Sequence, residues 1–82
     1  MSISTVRAAM NKALEGSGAT LGRVSMGYVR AERKGRKVDL QRLDVEFTGP
    51  TGDVSHTTAT VEPGDDLTAA AVQLAAFYRN TI

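Results

Sequence analysis

The most concentrated chemistry in the chain lies in a basic stretch, RAERKGRKVD, at residues 30–39. Five of these ten residues are cationic, and Glu32 and Asp39 are the only acids among them. Clustered lysine and arginine side chains bind phosphates or carboxylates. A solvated turn between two strands is the alternative, because charged residues also block pairing between sheet edges. With one further arginine, the stretch supplies the candidate partner-binding residues: Arg30, Arg33, Lys34, Arg36, Lys37 and Arg42.

Other candidates for chemistry are weaker. His56 is the only histidine, and no residue at a suitable spacing indicates a catalytic partner for it. Ser55 beside it does not make a triad, since a triad depends on geometry and not on adjacency. Asp44 and Glu46 could form a carboxylate pair on one strand face, but they also fit an ordinary polar face. We therefore expect no catalytic residue and no enzymatic activity.

Metal and cofactor sites are not expected either. Asp65 and Asp66 lack the repeated spacing of a calcium loop, and helix capping accounts for both. The chain contains no cysteine, which excludes thiolate ligands, disulfides and cysteine nucleophiles. The glycines of GSGATLG (16–22) follow a predicted helix and precede a strand, which is the reverse of a phosphate-binding loop.

Length and composition indicate one small globular domain, residues 1–82, with 41% hydrophobic and 23% charged residues. The net charge of +1 is unevenly distributed along the chain, which has a basic and an acidic segment. Residues 23–42 carry seven cations and two acids, a net of +5, whereas residues 43–82 carry six acids and one arginine, a net of −5. Such poles steer a complementary partner, or a second copy of the chain, toward the matching surface.

The same composition suggests a compartment. A cysteine-free small domain fits a reducing environment. No stretch reaches the roughly 20 apolar residues of a membrane span, and the N-terminus lacks the pattern of a signal peptide. We therefore expect a cytoplasmic protein that has no membrane partner.

The elements that must position these residues follow from hydrophobic periodicity. A helix is predicted from about residue 4 to 15, capped by Ser4 and ended by Gly16 and Gly18. Alternating residues predict strands in LGRVSMGYVRAER (21–33) and VDLQRLDVEFT (38–48), and a weakly apolar edge strand in VSHTTATVE (54–62). A second helix begins after Asp65 or Asp66, with an apolar stripe of Leu67, Ala70, Ala71, Leu74, Phe77 and Tyr78.

Two details of the strands carry further expectations. Val38 and Leu40 are apolar at even positions, whereas Leu43, Val45 and Phe47 are apolar at odd ones. A β-bulge near Gln41–Arg42 would return both sets to one face, and we predict it there. In the first strand, the alternation groups Tyr28 with the core-facing Val24 and Met26.

The predicted fold class is α+β, with the order α-β-β-β-α, a three-stranded antiparallel meander and both helices on one face. Lys34-Gly35 forms the tip of the first hairpin. This element order is similar to that of the double-stranded-RNA-binding domain. The resemblance implies a β1–β2 loop in a minor groove, which Arg33, Lys34, Arg36 and Lys37 would match. It also implies lysines at the start of the second helix, where this chain has Asp65 and Asp66.

Two functions follow as hypotheses. The first is a non-enzymatic protein-binding, regulatory or inhibitory module whose basic hairpin docks on an acidic partner surface; small size alone suggests a phage or mobile-element origin. The alternative is a nucleic-acid-binding domain that contacts phosphates through the same hairpin.

Overall fold

The computed structural model describes residues 2–82, which fold as a helix, three strands and a helix. The strands form one antiparallel sheet in the order β1-β2-β3, so β3 is an edge strand as predicted. The α-β-β-β-α order and the α+β class are confirmed. The elements are α1 (Ile3–Ala13), β1 (Thr20–Arg33), β2 (Arg36–Thr48), β3 (Val54–Val61) and α2 (Leu67–Thr81).

The core lies between the two helices and one face of the sheet. Phe47 is fully buried at its centre, and its ring stacks on Tyr78 of α2 with centroids 4.3 Å apart. Ala71 and Ala75 are also fully buried, because small side chains let α2 approach closely. The core cluster comprises Val6, Met10, Leu14, Leu43, Val45, Phe47, Val61, Leu67, Ala71 and Ala75.

The helix ends are set by local hydrogen bonds. Ser2, and not Ser4 as predicted, is the N-cap of α1, and its hydroxyl accepts from the Thr5 amide at 3.4 Å. The helix begins at Ile3, one residue before the predicted start, because its cap lies outside the apolar pattern. It ends at Ala13 with Leu14 as its C-cap, two residues before the predicted end at residue 15. Gly16 and Gly18 lie in the connection that follows, with positive φ angles of 76° and 80°.

The β-bulge lies in β1 and not in β2, so the predicted position at Gln41–Arg42 is wrong. Pairing passes from Leu21↔Phe47 to Val24↔Val45, which leaves two residues of β1 opposite one of β2. Arg7 of α1 donates to the Gly22 carbonyl at 2.7 Å, which satisfies a backbone group of the bulge.

Because β2 has no bulge, its two apolar sets face opposite sides of the sheet. Leu43 faces the helices, whereas Leu40 pairs with Val29 on the other face, here called the open face. Leu40 is nevertheless only 5% exposed and lies outside the core cluster. A second, smaller apolar strip therefore exists on the open face, formed by Val29, Ala31, Val38 and Leu40.

Two aromatic side chains that the sequence assigned to apolar faces are exposed. Tyr28 shares the helix-side face with Val24 and Met26 but is 71% exposed. Phe77, on α2, is 70% exposed. Periodicity identifies the face of β1 correctly, but it does not tell where the packing partner on that face ends. On α2 the buried face is centred on Leu67, Ala71 and Ala75, a residue outside the predicted stripe, and this leaves Phe77 outside the buried face.

Candidate functional site

The β1–β2 hairpin extends beyond the third strand as an arm, defined here as residues 29–40. β3 pairs with β2 only between Gln41 and Thr48. The rest of the β1–β2 ladder therefore forms a two-stranded ribbon. At about 3.3 Å per residue, six residues on each strand project roughly 20 Å. The arm explains the elongated shape of the molecule, whose principal extents are 45 × 21 × 19 Å.

The tip of the arm is a two-residue turn. Arg33 pairs with Arg36, and Lys34 and Gly35 between them have φ angles of 53° and 77°. Positive φ at both central residues is the geometry of a type I′ hairpin turn, which matches the right-handed twist of the strands. The predicted position of the turn is confirmed. A lysine in the left-handed region is unusual, since glycine, asparagine and aspartate are the residues that adopt it readily.

Half of the six predicted partner-binding residues are already paired within the molecule. Arg30 Nε lies 3.3 Å from Asp39 Oδ1, across the ribbon. Arg42 Nε lies 3.1 Å from Asp44 Oδ2 on β2 itself. Arg33 donates from Nε and Nη2 to Glu62 Oε1, at 3.1 and 2.6 Å. Carboxylates of this chain therefore offset three of the six charges.

The other three, Lys34, Arg36 and Lys37, form a cluster called here the tip cations. All three are exposed, and their side chains make no hydrogen bond or ion pair with any residue in 2–82. Glu32 stands opposite Lys37 in the ladder without forming an ion pair. The structure therefore separates the predicted set into paired arginines along the arm and unpaired cations at its tip.

The Arg33–Glu62 ion pair ties the arm to the start of the β3–α2 connection. Both residues project on the open face, and β2 lies between their strands, so the pair crosses over β2. Leu40 lies on the same face of β2 and is only 5% exposed. The Arg33–Glu62 contact could not be predicted from the sequence, because 29 residues separate its partners.

The histidine and carboxylate candidates meet on the open face, near the bulge. His56 Nε2 lies 3.8 Å from Glu46 Oε2. Asp44 accepts from Thr58 Oγ1 at 2.8 Å as well as from Arg42. These groups line a shallow depression of about 230 Å³, and the His56 side chain is 75% exposed. Asp44 and Glu46 do share a face, as predicted, and each has a neighbour of its own on that face.

The two acids at the start of α2 differ in their hydrogen bonding. Asp66 is the N-cap, and its Oδ1 accepts from the Thr68 and Ala69 amides at 2.9 and 3.3 Å. Asp65 is exposed and makes no side-chain hydrogen bond or ion pair with any other described residue. Two carboxylates therefore stand at this helix start, where the double-stranded-RNA-binding resemblance implies lysines.

Among residues 2–82, no three His, Cys, Asp or Glu side chains converge in an arrangement that could hold a metal ion. In that same part of the chain, no helix is long and apolar enough to cross a membrane.

Comparison with known proteins gives no relative from which a function could be transferred. No family model, no curated protein and no solved structure matches this chain. Function must therefore be argued from the arm and the surfaces around it.

Proposed function

We propose that this chain is a non-enzymatic protein-binding module that docks through its arm on an acidic surface of a partner and so regulates or inhibits it. The observation that carries the proposal is the group of tip cations. Lys34, Arg36 and Lys37 have no carboxylate partner among residues 2–82 and stand at the end of a projecting ribbon. Unpaired cations on a projecting element favour fast encounter with an anionic surface.

The paired arginines support a rigid arm. Arg30 is tied across the ribbon to Asp39, and Arg33 is tied to Glu62 of the body. A preorganised arm loses less conformational freedom on binding than a flexible loop does. The absence of cysteine supports a cytoplasmic setting for this interaction.

Binding to nucleic acid through the same tip is the alternative. Three phosphate contacts would give a slope of about −3 in log affinity against log salt for duplex binding. The exposed Tyr28 could stack on an unpaired base. Against this alternative, Asp65 and Asp66 place negative charge at the start of α2, which favours the protein partner.

The experiment is quantitative affinity capture from nuclease-treated extract of the native host, with three forms of the protein as bait. The arm variant Arg36→Gln/Lys37→Gln removes two tip cations. The body variant Lys12→Gln/Arg23→Gln removes two exposed cations elsewhere, whose side chains likewise form no hydrogen bond or ion pair within the described part of the chain. Both variants change the net charge equally, so only position differs between them.

We expect the wild type and the body variant to retain the same acidic protein, and the arm variant to lose about 90% of it. Equal recovery by all three forms would refute the proposed docking site. If duplex RNA binds the purified protein with the expected salt slope and the arm variant loses that binding, the nucleic-acid alternative replaces the proposal.

A further inference from the structure

The outer edge of β3 is open and unprotected. β3 pairs with β2 on one side only, as the last strand in the sheet order. Its eight residues, VSHTTATV, include no lysine, arginine, acid, proline or glycine. Natural edge strands are usually protected by charges, prolines or bulges. The opposite edge, β1, has both a bulge and three arginines. An unprotected edge rich in Thr and Val favours pairing with another strand.

Two separate cavities lie between β3 and α2, one toward each end of this edge, and together they are called the groove here. At one end, a cavity of about 600 Å³ has an apolar lining that includes Leu74, Phe77, Tyr78 and Ile82. At the other end, a shallower cavity of about 360 Å³ lies between Thr60 of β3 and Gln73 of α2. Phe77 is 70% exposed and Ile82 is 51% exposed. Large apolar side chains exposed together along a groove are typical of a surface that binds a partner.

Negative charge stands at both ends of the groove. Asp53 immediately precedes β3 and lines the larger cavity. Asp65 lines the smaller one. Neither carboxylate forms an ion pair with a described residue, whereas Glu62 nearby is offset by Arg33. The uncharged strand edge is therefore bounded by carboxylates that have no cationic partner.

We propose that this groove binds an extended segment of another protein, which adds to β3 as a fourth strand. Its backbone pairs with the free edge, an apolar side chain contacts Phe77, and cationic residues at its two ends face Asp53 and Asp65. This is a second binding surface, separate from the arm and independent of the proposed docking of the tip cations.

The charges argue against a second copy as the occupant. In a symmetric antiparallel pair that uses all of β3, Val54 of one copy would face Val61 of the other. That register would set Asp53 of one copy opposite Glu62 of the other at both ends of the interface, and Arg33, the one cation there, is already engaged by Glu62. Like charges directly opposite one another destabilise strand pairing. A segment with lysines or arginines outside an uncharged centre has the complementary pattern.

The test measures fluorescence anisotropy with labelled synthetic peptides. The probe is KKTVTLTVTKK, and the charge-reversed control is EETVTLTVTEE. A third peptide has the probe sequence with N-methylated amides along the strand, so its backbone cannot pair. We expect saturable binding of the probe, at least tenfold weaker binding of the acidic peptide, and no binding of the methylated one.

Two protein variants locate the binding. Phe77→Ala should weaken binding of the probe about tenfold, whereas Tyr28→Ala, which removes an equally exposed aromatic ring from the arm side, should leave it unchanged. Both side chains are exposed, so neither change should unfold the protein. The arm variant Arg36→Gln/Lys37→Gln should bind the probe like the wild type, which separates this proposal from the docking of the arm.

Four outcomes would overturn it. Three concern the peptides: no saturable binding of the probe, equal affinity for the probe and the acidic peptide, and undiminished binding of the methylated peptide. The fourth is self-association of the protein that Phe77→Ala abolishes. The last would assign the groove to a second copy.

Discussion

Lys34 combines an unfavourable backbone conformation with an unpaired charge. Its φ of 53° lies in the left-handed region, which costs an ordinary L-residue about 1–2 kcal/mol. Asparagine is the residue that this turn position prefers. The lysine side chain there makes no hydrogen bond or ion pair with the described residues that would offset the cost. Strained residues of this kind are concentrated at functional sites, which agrees with the proposed role of the tip.

Replacing Lys34 by Asn should therefore leave the free energy of unfolding unchanged or raise it by about 0.5–1 kcal/mol, because asparagine tolerates the left-handed region. Lys34→Val should lower it by about 1–2 kcal/mol, since a β-branched residue does not tolerate positive φ. Urea denaturation of the two variants and the wild type measures both changes. Destabilisation by asparagine as large as that by valine would contradict the turn geometry.

The two adjacent acids at the start of helix α2 have different roles. Asp66 caps the helix through two amides, whereas Asp65 accepts no hydrogen bond on its side chain. The sequence indicated that one of the two caps the helix and left the choice open. The N-cap must be extended while its side chain turns back onto the following amides, and Asp66 has that backbone, with φ −83° and ψ 112°.

Asp66→Ala should lower the free energy of unfolding by about 1 kcal/mol, because two amides in the first turn lose their acceptor. Asp65→Ala should change it by less than about 0.5 kcal/mol. Thermal denaturation of the two variants provides the comparison. Each variant removes one carboxylate, so each is the charge-matched control for the other. Equal losses, or a larger loss at Asp65, would be inconsistent with the observed cap.

Strand register shows which features of the fold could be predicted. The turn at Lys34-Gly35 and the edge position of β3 follow from local residue types, and both are confirmed. The predicted bulge near Gln41 is wrong because it assumed that all apolar residues of β2 serve one core. Leu40 instead is buried on the open face, outside the core cluster, and alternation alone does not reveal burial there.

The candidate site was predicted in part. Charge clustering alone selected six cations, but it could not tell Arg30 and Arg33, which have carboxylate partners, from the unpaired Lys37. That distinction depends on tertiary contacts. The β3–α2 groove was not predicted, because periodicity assigned Phe77 to the buried stripe whereas its side chain is exposed. An unprotected edge strand was the only signal of it in the sequence.

For the whole molecule, the Arg33–Glu62 pair links the arm to the body. Its two side chains are 50% and 46% exposed, so its contribution to stability should be small. Its larger effect is geometric, since it joins β1 to the segment after β3 across the intervening strand. The pair thereby joins the basic segment of the chain to its acidic segment at one point, whereas the tip cations have no ion-pair partner among the described residues.

Glu62→Gln should lower the free energy of unfolding by less than about 1 kcal/mol, yet increase the motion of residues 32–37. Backbone ¹⁵N relaxation should report lower order parameters in that segment than in the wild type. Asp39→Asn, which breaks the other arm ion pair, tests whether the effect is specific to the link with the body. Unchanged order parameters in Glu62→Gln would show that the ribbon is rigid without the link.

The most direct test of the central claim is site-specific photo-cross-linking in the native host, with benzoylphenylalanine in place of Glu32 beside the tip. Glu32 is exposed, and replacing it leaves all three tip cations in place. The same probe at the exposed Ala8 of α1 is the control. We expect a discrete, nuclease-resistant adduct with an acidic protein from position 32 alone, and its loss when Arg36→Gln/Lys37→Gln is added. No adduct at position 32, the same adducts from both positions, or an adduct that nuclease removes would contradict it.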